Sequence, residues 1–167
     1  MKKHRALRIW RNVLLTVLTL ALLIAAGAVC YLRFPARAFY QTSKKAFLIP
    51  GLDSGFIPQG LSYDEGTDCF FVCGYQNDYS ASRVYIVDRA SGETRAWARL
   101  QHPDGSALTD HCGGLSVYGG NVYLAGNHGL YAINESVLLN ASAGSPVTYD
   151  AWIPTLLTED DELTVSF

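Results

Sequence analysis

The sequence predicts an all-β body behind a single membrane-spanning helix, and three observations carry that prediction. The first is a phrase that occurs twice. Gly60-Leu61-Ser62-Tyr63 leads into Phe70-Phe71-Val72-Cys73-Gly74 and Arg83-Val84-Tyr85-Ile86-Val87-Asp88. It returns in a trimmed form that opens 54 positions later with Gly114-Leu115-Ser116-Val117 and leads into Val122-Tyr123-Leu124-Ala125-Gly126 and Gly129-Leu130-Tyr131-Ala132-Ile133-Asn134. The second is the alternation of side chains at a period of two between turns such as Asp64-Glu65-Gly66-Thr67-Asp68 and Ala90-Ser91-Gly92-Glu93, which marks strands and not helices. The third is a run of 20 uncharged residues from Val13 to Leu32.

Taken in order, residues 1–12 form a basic tail with Lys2, Lys3, Arg5, Arg8 and Arg11. The run at 13–32 would extend about 30 Å as a helix, the thickness of a bilayer's hydrocarbon core. The basic flank keeps the tail in the cytoplasm and sends the rest across. The run is longer than the 7–15 residues of an ordinary signal core, so it reads as a retained signal anchor. The competing reading is a cleaved signal peptide, because Ala26-Gly27-Ala28 and Ala36-Arg37-Ala38 offer small-residue cleavage patterns. Residues 33–47 read as a polar linker containing Pro35.

The body then divides into units. Four antiparallel strands in about 54 residues are close to one propeller blade, so blade one is placed at 48–101 and blade two at 102–157. Trp97 marks the fourth strand of the first, and the stretch Val147–Ile153, with Trp152, is expected to supply the fourth strand of the second. Leu163 to Phe167 resembles the opening of a third, placed at 158–167. Closed propellers need about 4–8 blades, so the sequence reads as the N-terminal part of a longer protein. Closure by oligomerisation and a small β-sandwich born of duplication are the rival readings.

Charge excludes one class of partner. All 15 acidic residues follow Leu52, and from Ala46 onward they face only four basic ones, a net of −11. Such a body repels nucleic acid and suits cations or neutral ligands. The cysteines are read as disulfide partners or free thiols. Cys69 and Cys73, four apart on one strand, lie about 13 Å from each other and cannot bridge, whereas Cys112 of the second unit is within reach of either. Cys30 sits in the apolar run.

Through Ile57-Pro58-Gln59-Gly60-Leu61 and Asp110-His111-Cys112-Gly113-Gly114-Leu115, the chain from Leu48 to Phe167 resembles secreted bacterial β-propellers. Within these it is most similar to the six-bladed gluconolactonase-, paraoxonase- and strictosidine-synthase-like superfamily. The resemblance implies, for the hydrolases of that group, calcium held in the central channel by Glu, Asn and Asp. Here Gln59 stands where gluconolactonase-like members carry Glu before the blade-opening glycine, and an amide cannot ionise.

Propeller topology would place the entries to the first strands and the loops between second and third strands on one face. That face collects Gln59, the loop Tyr75-Gln76-Asn77-Asp78-Tyr79, the stretch His102 to His111 with Asp104 and Asp110, and Asn127-His128. Tyrosines such as Tyr75, Tyr79 and Tyr131 could build a carbohydrate or peptide platform there, or pack as strand and rim aromatics. His111 beside Asp110 offers a base or a metal ligand, or a strand cap. Asn77 and Asp78 offer oxygen to a hard cation such as Ca2+, or serve a solvated loop. Gln59 can orient a ligand, and His128 between Asn127 and Gly129 fits a tight turn. Ser62 and Ser116 lack a nucleophile elbow, and the paired glycines lack a strand-to-helix phosphate loop. Asn134-Glu135-Ser136 and Asn140-Ala141-Ser142 match glycosylation acceptors. The expected function is a membrane-anchored extracytoplasmic binding module, the alternative a calcium-dependent propeller hydrolase or lactonase.

Overall fold

The computed structural model describes residues 2–33 and 36–154, in two units that divide between Lys45 and Ala46. In the first, α1 (Lys2–Arg33) is one uninterrupted helix of 32 residues. Its stretch Arg8–Arg33 has a mean hydropathy of 2.7 in its most apolar window and none of that window is buried. A helix apolar on all sides belongs in lipid or inside a large core, and this one is long and apolar enough to cross a membrane or to act as a signal sequence. Thr16 and Thr19 turn their hydroxyls back onto the carbonyls of Asn12 and Leu15, so neither leaves an unpaired polar group on the apolar surface. The segment read as a linker contains a short helix, α2 (Arg37–Thr42). Its few residues lack the length from which a periodicity can be read.

Among the described residues of the second unit, nine strands form two sheets. The first sheet runs β1 (Phe56–Asp64), β2 (Cys69–Gln76), β3 (Arg83–Asp88), β4 (Thr94–Gln101), then β8 (Ser145–Thr148). The second runs β5 (Gly114–Tyr118), β6 (Asn121–Ala125), β7 (Gly129–Asn134), β9 (Ala151–Pro154). The expected fourth strand of the second unit is corrected here, because the stretch Val147–Ile153 splits between the sheets. Val147 lies on β8, which pairs in parallel with β4, while Trp152 lies on β9, opposite Tyr131. The reason is a bend at Tyr149 and Asp150, where the Asp150 amide donates to the Ala132 carbonyl and its carboxylate accepts from the Asn134 amide. The expected third opening at 158–167 lies outside the described residues.

β1 also starts earlier than its glycine. It takes in Pro58 at a bulge between Pro58 and Gly60, a place where a strand tolerates a missing donor. The two sheets bury their facing sides against one another. Phe71, Cys73, Val84, Ile86, Ala98 and Leu100 from the first sheet meet Val122, Leu124, Tyr131 and Ile133 from the second. A smaller cluster of Phe56, Val72 and Tyr85, with Phe47, Ile49 and Trp97 against it, covers the outer side of the first sheet.

The repeated glycines answer close approaches. A Cβ on Gly60 would stand 2.9 Å from the Leu115 nitrogen, where β1 meets β5, and one on Gly74 would stand 2.1 Å from the Ile57 carbonyl oxygen. At Gly126 a Cβ would collide with the Asp110 carboxylate and the Tyr131 ring.

A helix intrudes between β7 and β8: α3 (Glu135–Leu139), capped by Asn134, whose Oδ1 accepts from the Ser136 amide and hydroxyl. Asn134 is thus a helix cap, and Leu138 is fully buried in the inter-sheet core. The carboxyl of Glu135 is held above its usual range, first by burial and then by the charge of Asp64. Asp64 itself is held low, chiefly by the Thr67 hydroxyl that donates to it. An acid with a raised folded-state pKa binds its proton more tightly when folded, so stability falls as pH rises from about 4.3, the unfolded value, through the raised one. Glu135→Gln is therefore expected to stabilise the body at pH 7 by about 0.5 kcal/mol after solvent screening. That advantage should disappear below about pH 4, which urea unfolding at the two pH values checks.

Candidate functional site

Apart from Gln59, the residues expected at a common face lie at one end of the two sheets, where β1, β3, β5 and β7 begin and β2, β4 and β6 end. Asp110 organises this end. Its carboxylate accepts from the backbone amides of His111 (2.7 Å) and Asn127 (3.0 Å) and from the Tyr131 hydroxyl (3.1 Å). Its carbonyl accepts from the Ser82 hydroxyl, and Ser82 is wholly buried. One residue thus ties the β2–β3 loop of the first sheet to the β6–β7 turn of the second. Burial, and then the negative charge of Asp110, push the Tyr131 phenol above its ordinary range.

His111 is next to this carboxylate in sequence but does not use it through its ring. The imidazole lies against Tyr75, ring centroids 4.6 Å apart, and Tyr75 stacks on Tyr79 at 5.7 Å. The result is a three-ring strip on the surface whose outermost member, Tyr79, is 59 % exposed. Both ends carry unusual backbone, with φ of +55° at Tyr79 and +52° at Cys112. Such values are uncommon outside glycine and hold the loop ends in one conformation.

Asn77 and Asp78 are exposed beside the strip. Asp78 caps its own loop, accepting from the Ser80 amide at 2.9 Å, and that bond holds its carboxyl below the usual carboxylate range. Asn77 donates its backbone amide to the Gly55 carbonyl. Asp104 does for its loop what Asp78 does, through Ser106. His102 meets the Tyr149 hydroxyl at 3.2 Å and joins Thr109, Asp110, Asn127 and Tyr131 around a small polar cavity of about 180 Å³. His128 is exposed in the β6–β7 turn.

Gln59 stands apart. It is exposed on β1, in a shallow cleft with Phe47, Ile49, Pro58 and Leu61, and shares no lining residue with the Asp110 cavity. Among the described residues no three His, Cys, Asp or Glu side chains converge as a metal-donor set.

The cysteines supply no nucleophile here. Cys69, Cys73 and Cys112 are buried and unbridged. The Cys73 thiol donates to the Cys112 carbonyl at 3.1 Å, and burial pushes its pKa up to about 12, so it stays protonated at neutral pH. The sequence names Tyr75 and Tyr131 among the rim aromatics but not their pairings, Tyr75 with His111 and Tyr131 with Asp110, because both contacts join residues far apart in the chain. Compared with known protein families, curated proteins and solved structures, the chain shows no significant match.

Proposed function

We propose that this protein is a membrane-anchored, extracytoplasmic binding module whose two sheets are β-propeller blades and whose ligand meets the Tyr75–Tyr79–His111 strip. The observation that carries the reading is that strip: three rings in contact at the surface, Tyr75 stacked on Tyr79 and tilted against His111, whose backbone amide Asp110 holds. Exposed aromatic platforms gain contact area at low entropic cost and bind sugars, peptides or planar groups. The long apolar helix supports anchorage, and the basic tail supports a cytoplasmic N-terminus.

The blade reading draws on order and on surface. Each sheet places its first three strands side by side in chain order, with the tryptophan-bearing strand next. On the second sheet, Leu115, Tyr118, Tyr123 and Leu130 border an open apolar groove of about 510 Å³, which suits the packing of a further sheet. The calcium-dependent hydrolase remains the second reading, and its support is the oxygen-rich loop at Asn77 and Asp78.

The test uses full-length protein in detergent on arrays of glycans and peptides. Ligands retained by the wild type should lose at least about tenfold in affinity, some 1.4 kcal/mol, in the double variant Tyr75→Ala/His111→Ala. The same variant should match the wild type in urea unfolding to within about 1 kcal/mol. Equal retention by both proteins would reject the strip as the binding surface. Stoichiometric calcium surviving dialysis would move the assignment to the hydrolase.

A further inference from the structure

The outer side of the first sheet holds a second polar feature, separate from the aromatic strip. Successive residues of a strand point to opposite faces, so Val72, Gly74 and Gln76 share the side of β2 turned away from the inter-sheet core. Tyr85 lies opposite Val72 and Arg83 opposite Gly74. On β4, Trp97 lies opposite Tyr85 and Arg99 opposite Arg83. Two arginines are therefore direct cross-strand neighbours, an arrangement that repels unless something negative sits between them.

Among the described residues none fills that role. Among the described residues the one ion pair is Arg89 with Asp68, so neither Arg83 nor Arg99 has a carboxylate partner. Arg83 lays its guanidinium over the Trp97 ring, 5.0 Å from the centroid, and donates from Nη1 to the Tyr85 hydroxyl at 3.2 Å. Its Nε is buried and has no partner. Gln76, only 1 % exposed, has an unpartnered Nε2 on the same side of the sheet. Arg99 uses its Nε on the Gly144 carbonyl at 2.8 Å and contributes the second positive charge. Gly51, pressed against the Tyr85 hydroxyl, and Phe56, edge-on to the Tyr85 ring, close the neighbouring side. Asp78 is held low chiefly by the Ser80 amide and, last among the causes, by the charge of Arg83, but it is exposed and already engaged with Ser80.

An unpaired buried donor is costly, and Arg83 and Gln76 each leave one on the same side of the sheet. The Nε side of a guanidinium is the edge that carboxylates and phosphates take as bidentate partners. We propose that Arg83, Gln76 and Arg99 form an oxyanion site that takes a carboxylate or phosphate group, with Arg83 as the fork and Trp97 as its support. It is independent of the aromatic strip.

The experiment is nitrogen-15 NMR of the arginine Nε–H and glutamine amide signals in full-length protein in detergent micelles, with Arg83→Gln assigning the Arg83 peak. Sodium phosphate and sodium acetate are titrated separately against sodium chloride of equal ionic strength. The expected result is a saturable shift of the Arg83 Nε–H and Gln76 amide signals with phosphate, acetate or both, and none with chloride. At ten times the dissociation constant the melting temperature should rise by about 4 °C. Arg99→Gln should weaken the binding at least threefold, and because Arg99 also holds the Gly144 carbonyl, urea unfolding of this variant beside the wild type separates loss of the anion contact from loss of the fold. A shift with phosphate alone or acetate alone identifies the group and supports the site. No saturable shift, an equal shift in chloride, or an Nε–H protected from exchange but indifferent to every anion would overturn it, the last meaning a buried water.

Discussion

Phe71→Ala is expected to cost the β body about 3–5 kcal/mol, the range for deleting a fully buried aromatic ring. Phe71 has no exposed surface and sits mid-strand on β2, opposite Ser62 on β1 and Ile86 on β3. Its ring belongs to the cluster in which Val84 and Ile86 meet Val122, Leu124 and Ile133 of the other sheet. Removing it leaves a cavity where the two sheets are joined, and β2 is hydrogen-bonded on both sides, so the backbone has little room to collapse into the space. Domains of this size have only about 5–15 kcal/mol of stability in total, so the variant should approach unfolding at 37 °C. Urea unfolding of the full chain, followed by tryptophan emission, measures the loss. A value under about 1.5 kcal/mol would mean that the sheets do not share this core.

Asp110→Ala is expected to cost about 3 kcal/mol and to release the loops of the candidate site. The carboxylate serves three donors, the amides of His111 and Asn127 and the buried Tyr131 hydroxyl. Each donor left dry loses about 1–3 kcal/mol, part of which water recovers at the exposed amides. Asp110→Asn keeps one oxygen but turns an NH2 toward an N–H, so it should fall between wild type and alanine. Hydrogen exchange at the His111 and Asn127 amides should accelerate in the same order. Because Asp110's charge helps to hold the Tyr131 phenol high, that phenol should ionise at lower pH in Asp110→Asn than in the wild type. Unchanged exchange and unchanged Tyr131 titration would remove Asp110 from its organising place.

Much of the architecture could be read in one dimension because it rests on local patterns. The period-two runs at Cys69–Gln76 and Arg83–Asp88 and the turn between Asp64 and Asp68 are near-neighbour signals, and the phrase that opens at Gly60 opens again at Gly114. The strands stand at those places. The helix α3 was missed because Asn134-Glu135-Ser136 carries both a glycosylation pattern and a cap, and five residues are too few to show a helical period. Strand β8 was assigned to the wrong sheet because its apolar residue, Val147, suits either one. Only the reach of the preceding turn, with Arg99 bound to the Gly144 carbonyl, sets it beside β4.

The site was legible as a list of residues and not as an arrangement. Asp110, His111 and Asn127 are brought together, while Gln59 lies in a separate cleft. The pairing of Asp110 with His111 that adjacency suggests is made by backbone, and the imidazole turns to Tyr75, 36 positions away.

By itself, then, the chain determined an apolar helix long enough for a membrane, an acidic β-rich body and the positions of its turns, since hydropathy, charge and strand period depend on residues close in sequence. Which strand joins which sheet, which carboxylate holds which loop, and that two arginines are cross-strand neighbours were decided only in three dimensions. Those outcomes depend on close approach between segments, where one Cβ at Gly60 or Gly74 would already be too many.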